Sequence, residues 1–345
     1  MSKNYYIIPI FVPHEGCPHN CVFCNQNRIT GVLENVVTGE STKKIVEEYL
    51  ETIDHKNATV EISFFGGTFT AINEKKQREL LSVAKEYKDK KLIDKIRMST
   101  RPDAISPYIL SYLKDYSVDI IELGVQSLDN EVLLKAGRGH SAKDVEYASK
   151  LIKEYGFILG HQIMPGLPGD SFDTDISTTK KSIEMKPDIV RIYPSLVIKD
   201  TPMEKMYLEG SYIPYTLDEA VEISKIMYKM YYQNNIQVIR IGLQPTDTIR
   251  EGGDVISGPF HPAFRELVEG SLFADKIRAE LGENKNAVVV INNKDISKLC
   301  ANKKIYFKKL LEEGYNIKVE TSHELERGSI LIKVIWGRCK YEERS

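Results

Sequence analysis

At 345 residues, with 42% hydrophobic and 28% charged residues, the chain has a globular composition with ample material for a core, and its length suits an α/β barrel with an appendage. A formal net charge of −2 provides no global basic field for nucleic acid, so any nucleic-acid surface has to be a local patch. No apolar run reaches membrane-spanning length, and MSKNYYIIPIFV lacks the charged–apolar–small order of a signal peptide, so a cytoplasmic, non-membrane protein with reduced thiols is expected.

Short β-branched or apolar runs alternate with amphipathic stretches through the first two-thirds of the chain. Strands are predicted at Tyr5–Val12, Val60–Phe65, Lys95–Ser99, Asp119–Gly124, Phe157–Met164, Asp188–Tyr193 and Gln237–Ile241. Between them lie helical patterns such as KKIVEEYLETI, KKQRELLSVAKEY and SAKDVEYASKLIKEY. The alternation predicts parallel βαβ units, closed or partly closed into a barrel. Special residues sit where the strands end: GGT at 66–68, STRPD at 99–103, GVQS at 124–127 and PGLPG at 165–169. Strand C-terminal ends form the active face of such barrels, so these loops are expected to converge. After Ile241 the pattern breaks into GLQPTDTIREGGDVISGPFHP, read as a long connecting segment. A smaller α/β unit follows, with helices predicted at His261–Leu281 and Asp295–Glu313 and strands at Ala287–Asn292, Ile317–Thr321 and Ser329–Ile335. The division expected is therefore a core over 1–245 and a C-terminal domain over 246–345.

Three of the five cysteines, Cys17, Cys21 and Cys24, fall within GCPHNCVFCNQ. A structural zinc site wants four closed ligands, for which His14 and His19 are neighbouring candidates. A 4Fe–4S cluster usually takes four thiolates; held by three, it leaves one iron open to an exogenous ligand. Cys300 and Cys339 lie far along the chain and are expected to pack as small apolar residues.

C-x3-C-x2-C after the first strand, with Phe23 before the last cysteine and GGT after the next strand, resembles the signature of the radical S-adenosylmethionine (SAM) superfamily. The resemblance implies a partial (β/α)6 barrel whose Cys17, Cys21 and Cys24 hold a 4Fe–4S cluster, with SAM chelating the open iron. It also implies reductive cleavage of SAM to methionine and a 5′-deoxyadenosyl radical, with a ferredoxin or flavodoxin as electron donor. Gly66, Gly67 and Thr68 resemble the motif that meets the SAM amino group, where a missing Cβ permits close approach. Gln126 of GVQS resembles a SAM contact, and Arg138 of AGRGHSAKD the partner of the SAM carboxylate, a task suited to a planar guanidinium. Ser99 and Gln162 occupy positions where relatives carry acidic or histidine side chains near the ribose.

Within that superfamily, STRPDAI, ELGVQSLDNEVL, RGHSAKDV, IMPGLPG and RIYPSLVIKDTPM resemble the barrel of the Elongator catalytic subunit, over roughly Tyr5–Gln244. The likeness implies modification of tRNA or another RNA. Acetyl transfer is not expected, because no Gly-rich acetyl-CoA loop is evident after the barrel. Oxygen-independent coproporphyrinogen oxidase shares GVQS, but carries a further cysteine where this chain has Gln26. Two other readings stand beside RNA modification: a radical SAM enzyme on a small molecule or peptide, and a non-catalytic haem or cluster chaperone. Tyr193, Arg240, Gln244, His261 and Arg265 are the substrate-side candidates. The lysines of KLCANKKIYFKK, with Lys304 and Lys308 one helical turn apart beside Tyr306 and Phe307, read on their own as a solvated helix face with both aromatics packed inward, and on the Elongator likeness as an RNA-facing patch.

Overall fold

The computed structural model describes residues 4–12, 16–17, 19–25, 28–29, 37–54 and 57–334; His14, Gln26 and Cys339 lie outside them. Contacts divide the chain into two units, 1–262 and 263–345.

The first unit opens with β1 (Asn4–Val12), α1 (Gly39–Leu50), β2 (Ala58–Gly66), α2 (Glu74–Asp89), β3 (Lys95–Thr100) and α3 (Pro107–Asp115). Next come β4 (Ile120–Gln126), α4 (Asn130–Lys135), α5 (Ala142–Glu154), β5 (Ile158–Ile163), α6 (Phe172–Glu184), β6 (Ile189–Ile192), β7 (Val197–Ile198), α7 (Pro202–Leu208), α8 (Leu217–Gln233), β8 (Gln237–Ile241) and β9 (Val255–Ser257). Thr38, Ser141, Ser171 and Thr216 cap α1, α5, α6 and α8 in capping boxes, which start these helices where the hydrophobic periodicity begins.

Seven parallel strands pair in the order β1-β2-β3-β4-β5-β6-β8, so the predicted α/β half-barrel is present, with β8 as a seventh strand. Alternate residues of each strand face opposite sides of the sheet. Ile8 and Ile10, Val60 and Ile62, Ile96 and Met98, Ile121 and Leu123, and Val190 and Ile192 are fully buried in its apolar layer. His161 shares that layer, and its two ring nitrogens each lie 2.9 Å from a serine hydroxyl, Ser149 on α5 and Ser182 on α6. Burial pushes its pKa down to about 3, so the ring is neutral.

The opposite face of the sheet carries charges where a parallel strand ordinarily carries aliphatics. Arg97 on β3 donates from Nη2 to Glu61 on β2 at 3.0 Å and from Nη1 to Glu122 on β4 at 3.1 Å. Arg191 on β6 donates from Nε to the same Glu122 oxygen at 2.8 Å and from Nη1 to the Tyr193 hydroxyl at 2.9 Å. Tyr5 and Ser63 hydroxyls donate to Glu61. Gly160 on β5 makes room for this chain, since a Cβ there would sit 3.1 Å from Glu122 Cγ. Two carboxylates and two guanidiniums thus cross the sheet from β2 to β6 in alternating sign.

The segment after β8 departs from the sequence reading. β9 lies within it and pairs antiparallel with β7, while Thr248 Oγ1 donates to the Arg28 carbonyl. Residues 246–262 therefore belong to the first unit, and the boundary falls after Pro262 rather than after 245.

The second unit comprises α9 (Phe264–Leu281), β10 (Asn286–Asn292), α10 (Ile296–Glu312), β11 (Asn316–Ser322) and β12 (Ile330–Val334), with β10 central, parallel to β11 and antiparallel to β12. The backbone of α10 leaves helical geometry at Ala301–Lys304, where Asn302, Lys303 and Lys304 adopt positive φ. Lys304 and Lys308 therefore do not share a continuous helix face, and Tyr306 is buried, in line with the reading in which it packs inward and against base stacking on it. Cys300 is an exposed thiol, not a small apolar core residue.

Candidate active site

A cavity of about 780 Å³ opens among the C-terminal ends of the sheet strands. Cys17, Cys21 and Cys24 line it from the loop after β1, and Gly66, Gly67 and Thr68 from the end of β2. Ser99, Gln126, Gln162, Tyr193, Arg240 and Gln244 line it from the ends of β3, β4, β5, β6 and β8, and Arg138 from the loop after α4. Of the four loops predicted to converge, GGT, STRPD and GVQS do so, whereas no residue of PGLPG at 165–169 is among the lining residues. Two candidates fall elsewhere: His261 is not among the lining residues, and Arg265 lies in the second unit, where Nε donates to Glu269 at 2.8 Å.

Close backbone approaches hold the cysteine loop in place. Gly16 has φ +72°, and a Cβ on it would stand 2.4 Å from the Thr68 carbonyl oxygen, so only glycine lets the loop lie against the GGT turn. Cys17 Sγ is 3.3 Å from Thr68 Oγ1, and the Val22 amide donates to the Ala136 carbonyl at 3.0 Å. Arg138 completes the join: Nη1 donates to Cys21 Sγ at 3.3 Å and Nη2 to the Gly124 carbonyl. A Cβ at Gly124 would come within 2.7 Å of Arg138 Nη2, so this glycine keeps the guanidinium path open.

Arg101, quoted in STRPD but given no role from sequence, is 3% exposed; it clamps Asp103 and donates at 2.6 Å to the Arg138 carbonyl. Burial and the two neighbouring arginines push the His140 pKa down to about 3, keeping that ring neutral beside the cationic wall. Gln126 adopts φ +66° at a register shift between β4 and β5, and Gln162 Nε2 donates to its Oε1 at 3.3 Å. A left-handed non-glycine residue costs about 1–2 kcal/mol, and such strain gathers at functional sites.

Three thiols from one loop are a soft, all-sulfur donor set of the kind that holds iron–sulfur clusters. Among the described residues no three His, Cys, Asp or Glu side chains are drawn together on a single metal position. The three thiols instead line one wall of a cavity large enough for a further ligand. Arg138 Nε and Arg101 Nη1 are buried without an acceptor among the described residues, so the protein does not exhaust the donors of this cationic wall. The residues present fit a thiolate-bound 4Fe–4S cluster and a carboxylate-bearing cofactor beside it.

A parallel half-barrel with a three-cysteine loop at the mouth of its strands defines a radical SAM fold. Comparison with known proteins agrees: residues 11–179 match the Radical SAM superfamily and residues 187–273 the Radical SAM C-terminal domain. The chain belongs to the radical SAM superfamily and is an enzyme of that class. It is 28% identical over 274 residues to the tRNA uridine(34) acetyltransferase of Methanocaldococcus infernus, covering 67% of this chain and 51% of that protein. It is 29% identical over 196 residues to Elongator complex protein 3 of Homo sapiens, covering 51% of this chain and 36% of that one. The solved Elp3 of Methanocaldococcus infernus superposes with a TM-score of 0.62 at 23% identity, covering 82% of this chain and 64% of that chain, a likeness of fold. The chain spans about half the length, or less, of these two curated relatives. Among the described residues no helix is long and apolar enough to cross a membrane.

Proposed function

We propose that the protein is a cytoplasmic radical SAM enzyme that modifies tRNA or another RNA, without acetyl transfer by this chain. The observation carrying the reading is the joint placement of Cys17, Cys21, Cys24, the Gly66–Gly67–Thr68 turn, Gln126 and Arg138 around one cavity at the strand ends. When bound there, a 4Fe–4S cluster and SAM supply one-electron cleavage of a C–S bond and a 5′-deoxyadenosyl radical for hydrogen abstraction. The protein's part is to bind, orient and exclude water. Cys17, Cys21 and Cys24 would hold the cluster. The Gly66–Gly67 backbone takes the SAM amino group, and Arg138 the carboxylate. Gln126, Gln162 and Ser99 line the route to the ribose. Tyr193, Arg240 and Gln244 stand on the late strands, where the substrate enters. A ferredoxin or flavodoxin supplies the electron.

The RNA assignment is supported by the relatives named as tRNA uridine(34) acetyltransferase and Elongator complex protein 3. Its test is nucleoside mass spectrometry of RNA from a deletion strain, together with SAM cleavage by the purified chain with and without tRNA. Loss of a modified nucleoside, and tRNA-stimulated cleavage, are expected. An unchanged nucleoside profile with cleavage indifferent to tRNA would move the substrate to a small molecule or peptide.

A further inference from the structure

We infer that Arg191 and Arg240 form an oxyanion-recognition site for the substrate, on the cavity wall made by β6 and β8. The register of these strands carries the argument. Ile189 and Val190 pair with Gln237 and Val238, but Arg191 then pairs with Arg240, so β8 has one extra residue at Ile239. Without that bulge Arg191 would stand beside Ile239, and Arg240 would alternate to the other face. The bulge re-aims a side chain, as bulges beside active sites do. It sets two guanidiniums on neighbouring strands, roughly 5 Å apart at Cα, and both line the cavity.

Like charges directly opposite one another on a sheet are destabilising, and arginine cannot shed its proton to escape. Arg191 is compensated, because Glu122 accepts from its Nε and Tyr193 holds its Nη1. Glu122, however, is already shared with Arg97. Across the four charges from Glu61 to Arg191 the balance is zero, and Arg240 is in excess. The Arg240 side chain makes no hydrogen bond or ion pair with any described residue, although it is only partly exposed. A half-buried, permanently charged fork facing a cavity, beside a second fork already locked in orientation, matches a bidentate oxyanion. Arg138 is tied instead to Cys21 and to Gly124 on β4, the central strand of the sheet, so the SAM carboxylate and this second anion have separate partners. The ligand is a phosphate or carboxylate carried by the substrate; on the RNA reading, a phosphodiester flanking the modified nucleoside. The inference rests on the reading of the cavity as the place where SAM and substrate meet.

The test uses the full chain with its cluster reconstituted anaerobically, without reductant, and titrated first with SAM to saturation. Uridine 5′-monophosphate, uridine and succinate are then titrated calorimetrically. The monophosphate is expected to bind about tenfold or more tighter than uridine, the worth of charge-assisted bonds from one arginine fork. Arg240→Gln should erase that difference, and Arg240→Lys, which keeps charge but not the fork, should recover part of it. Arg240-dependent binding of succinate, with no preference for the monophosphate over uridine, would support the oxyanion site while assigning it to a small-molecule carboxylate. Monophosphate and succinate both binding no tighter than uridine, or binding equally to Arg240→Gln, would overturn the site. Failure of SAM to bind in the first titration would overturn the underlying reading of the cavity instead.

Discussion

Replacing Cys17, Cys21 and Cys24 together by alanine is expected to abolish iron and sulfide binding, where the unaltered chain takes up about four of each after anaerobic reconstitution. The reason lies in the donor inventory of the cavity. It is lined by these three thiols, while Cys300 lies in the second unit. Single replacements are expected to be nearly as severe, since two thiolates leave two irons open. Cys300→Ala, at an exposed position in the second unit, should leave iron content unchanged. The colour and the iron-to-protein ratio of the purified variants check this directly. A triple variant that retains the cluster would show that the cavity thiols are not its ligands.

Glu122→Ala is expected to have the largest effect on stability outside the apolar core, about 3–5 kcal/mol. Its carboxylate accepts from Arg97 and Arg191, and both guanidiniums are nearly sealed from solvent, with side-chain exposures of 4% and 9%. Removing it leaves Arg191 with only the Tyr193 hydroxyl as a polar partner among the described residues, in a setting where an unpaired charge is costly. Glu122→Gln keeps the shape and one accepting oxygen, so it should recover part of the loss. Denaturant midpoints of the three full-length proteins measure the order. A loss below about 1 kcal/mol for the alanine variant would mean that water reaches the chain of charges and screens it.

Much of the fold is legible along the sequence because each strand is a short apolar run. β8 begins and ends where its residues predict, at Gln237 and Ile241, and β1 to β6 shift by no more than two residues at either end. The cysteine loop, the glycine turn and GVQS are readable too, since chemistry confines them to fixed local spacings. What the sequence hides is made by register. Glu61, Arg97, Glu122 and Arg191 each interrupt an apolar run, a sign that each needs a buried partner, yet only the pairing of β2 to β6 makes them one chain. Arg240 reads as an isolated charge until the extra residue at Ile239 brings it beside Arg191. The lysine face read into α10 fails for a local reason: the positive φ of Asn302, Lys303 and Lys304 breaks a periodicity that hydrophobic spacing alone supports. The domain boundary shifts because two short strands, β7 and β9, find each other across more than fifty residues.

The central claim is that one cavity holds both a three-thiolate cluster and SAM. Anaerobic incubation of the reconstituted chain with SAM and a low-potential reductant tests it most directly, followed by chromatography for 5′-deoxyadenosine and methionine. Both products are expected to form in equal amounts over time, and neither with the Cys17, Cys21 and Cys24 triple variant. A protein that purifies with stoichiometric zinc, takes up no iron and leaves SAM intact would contradict it.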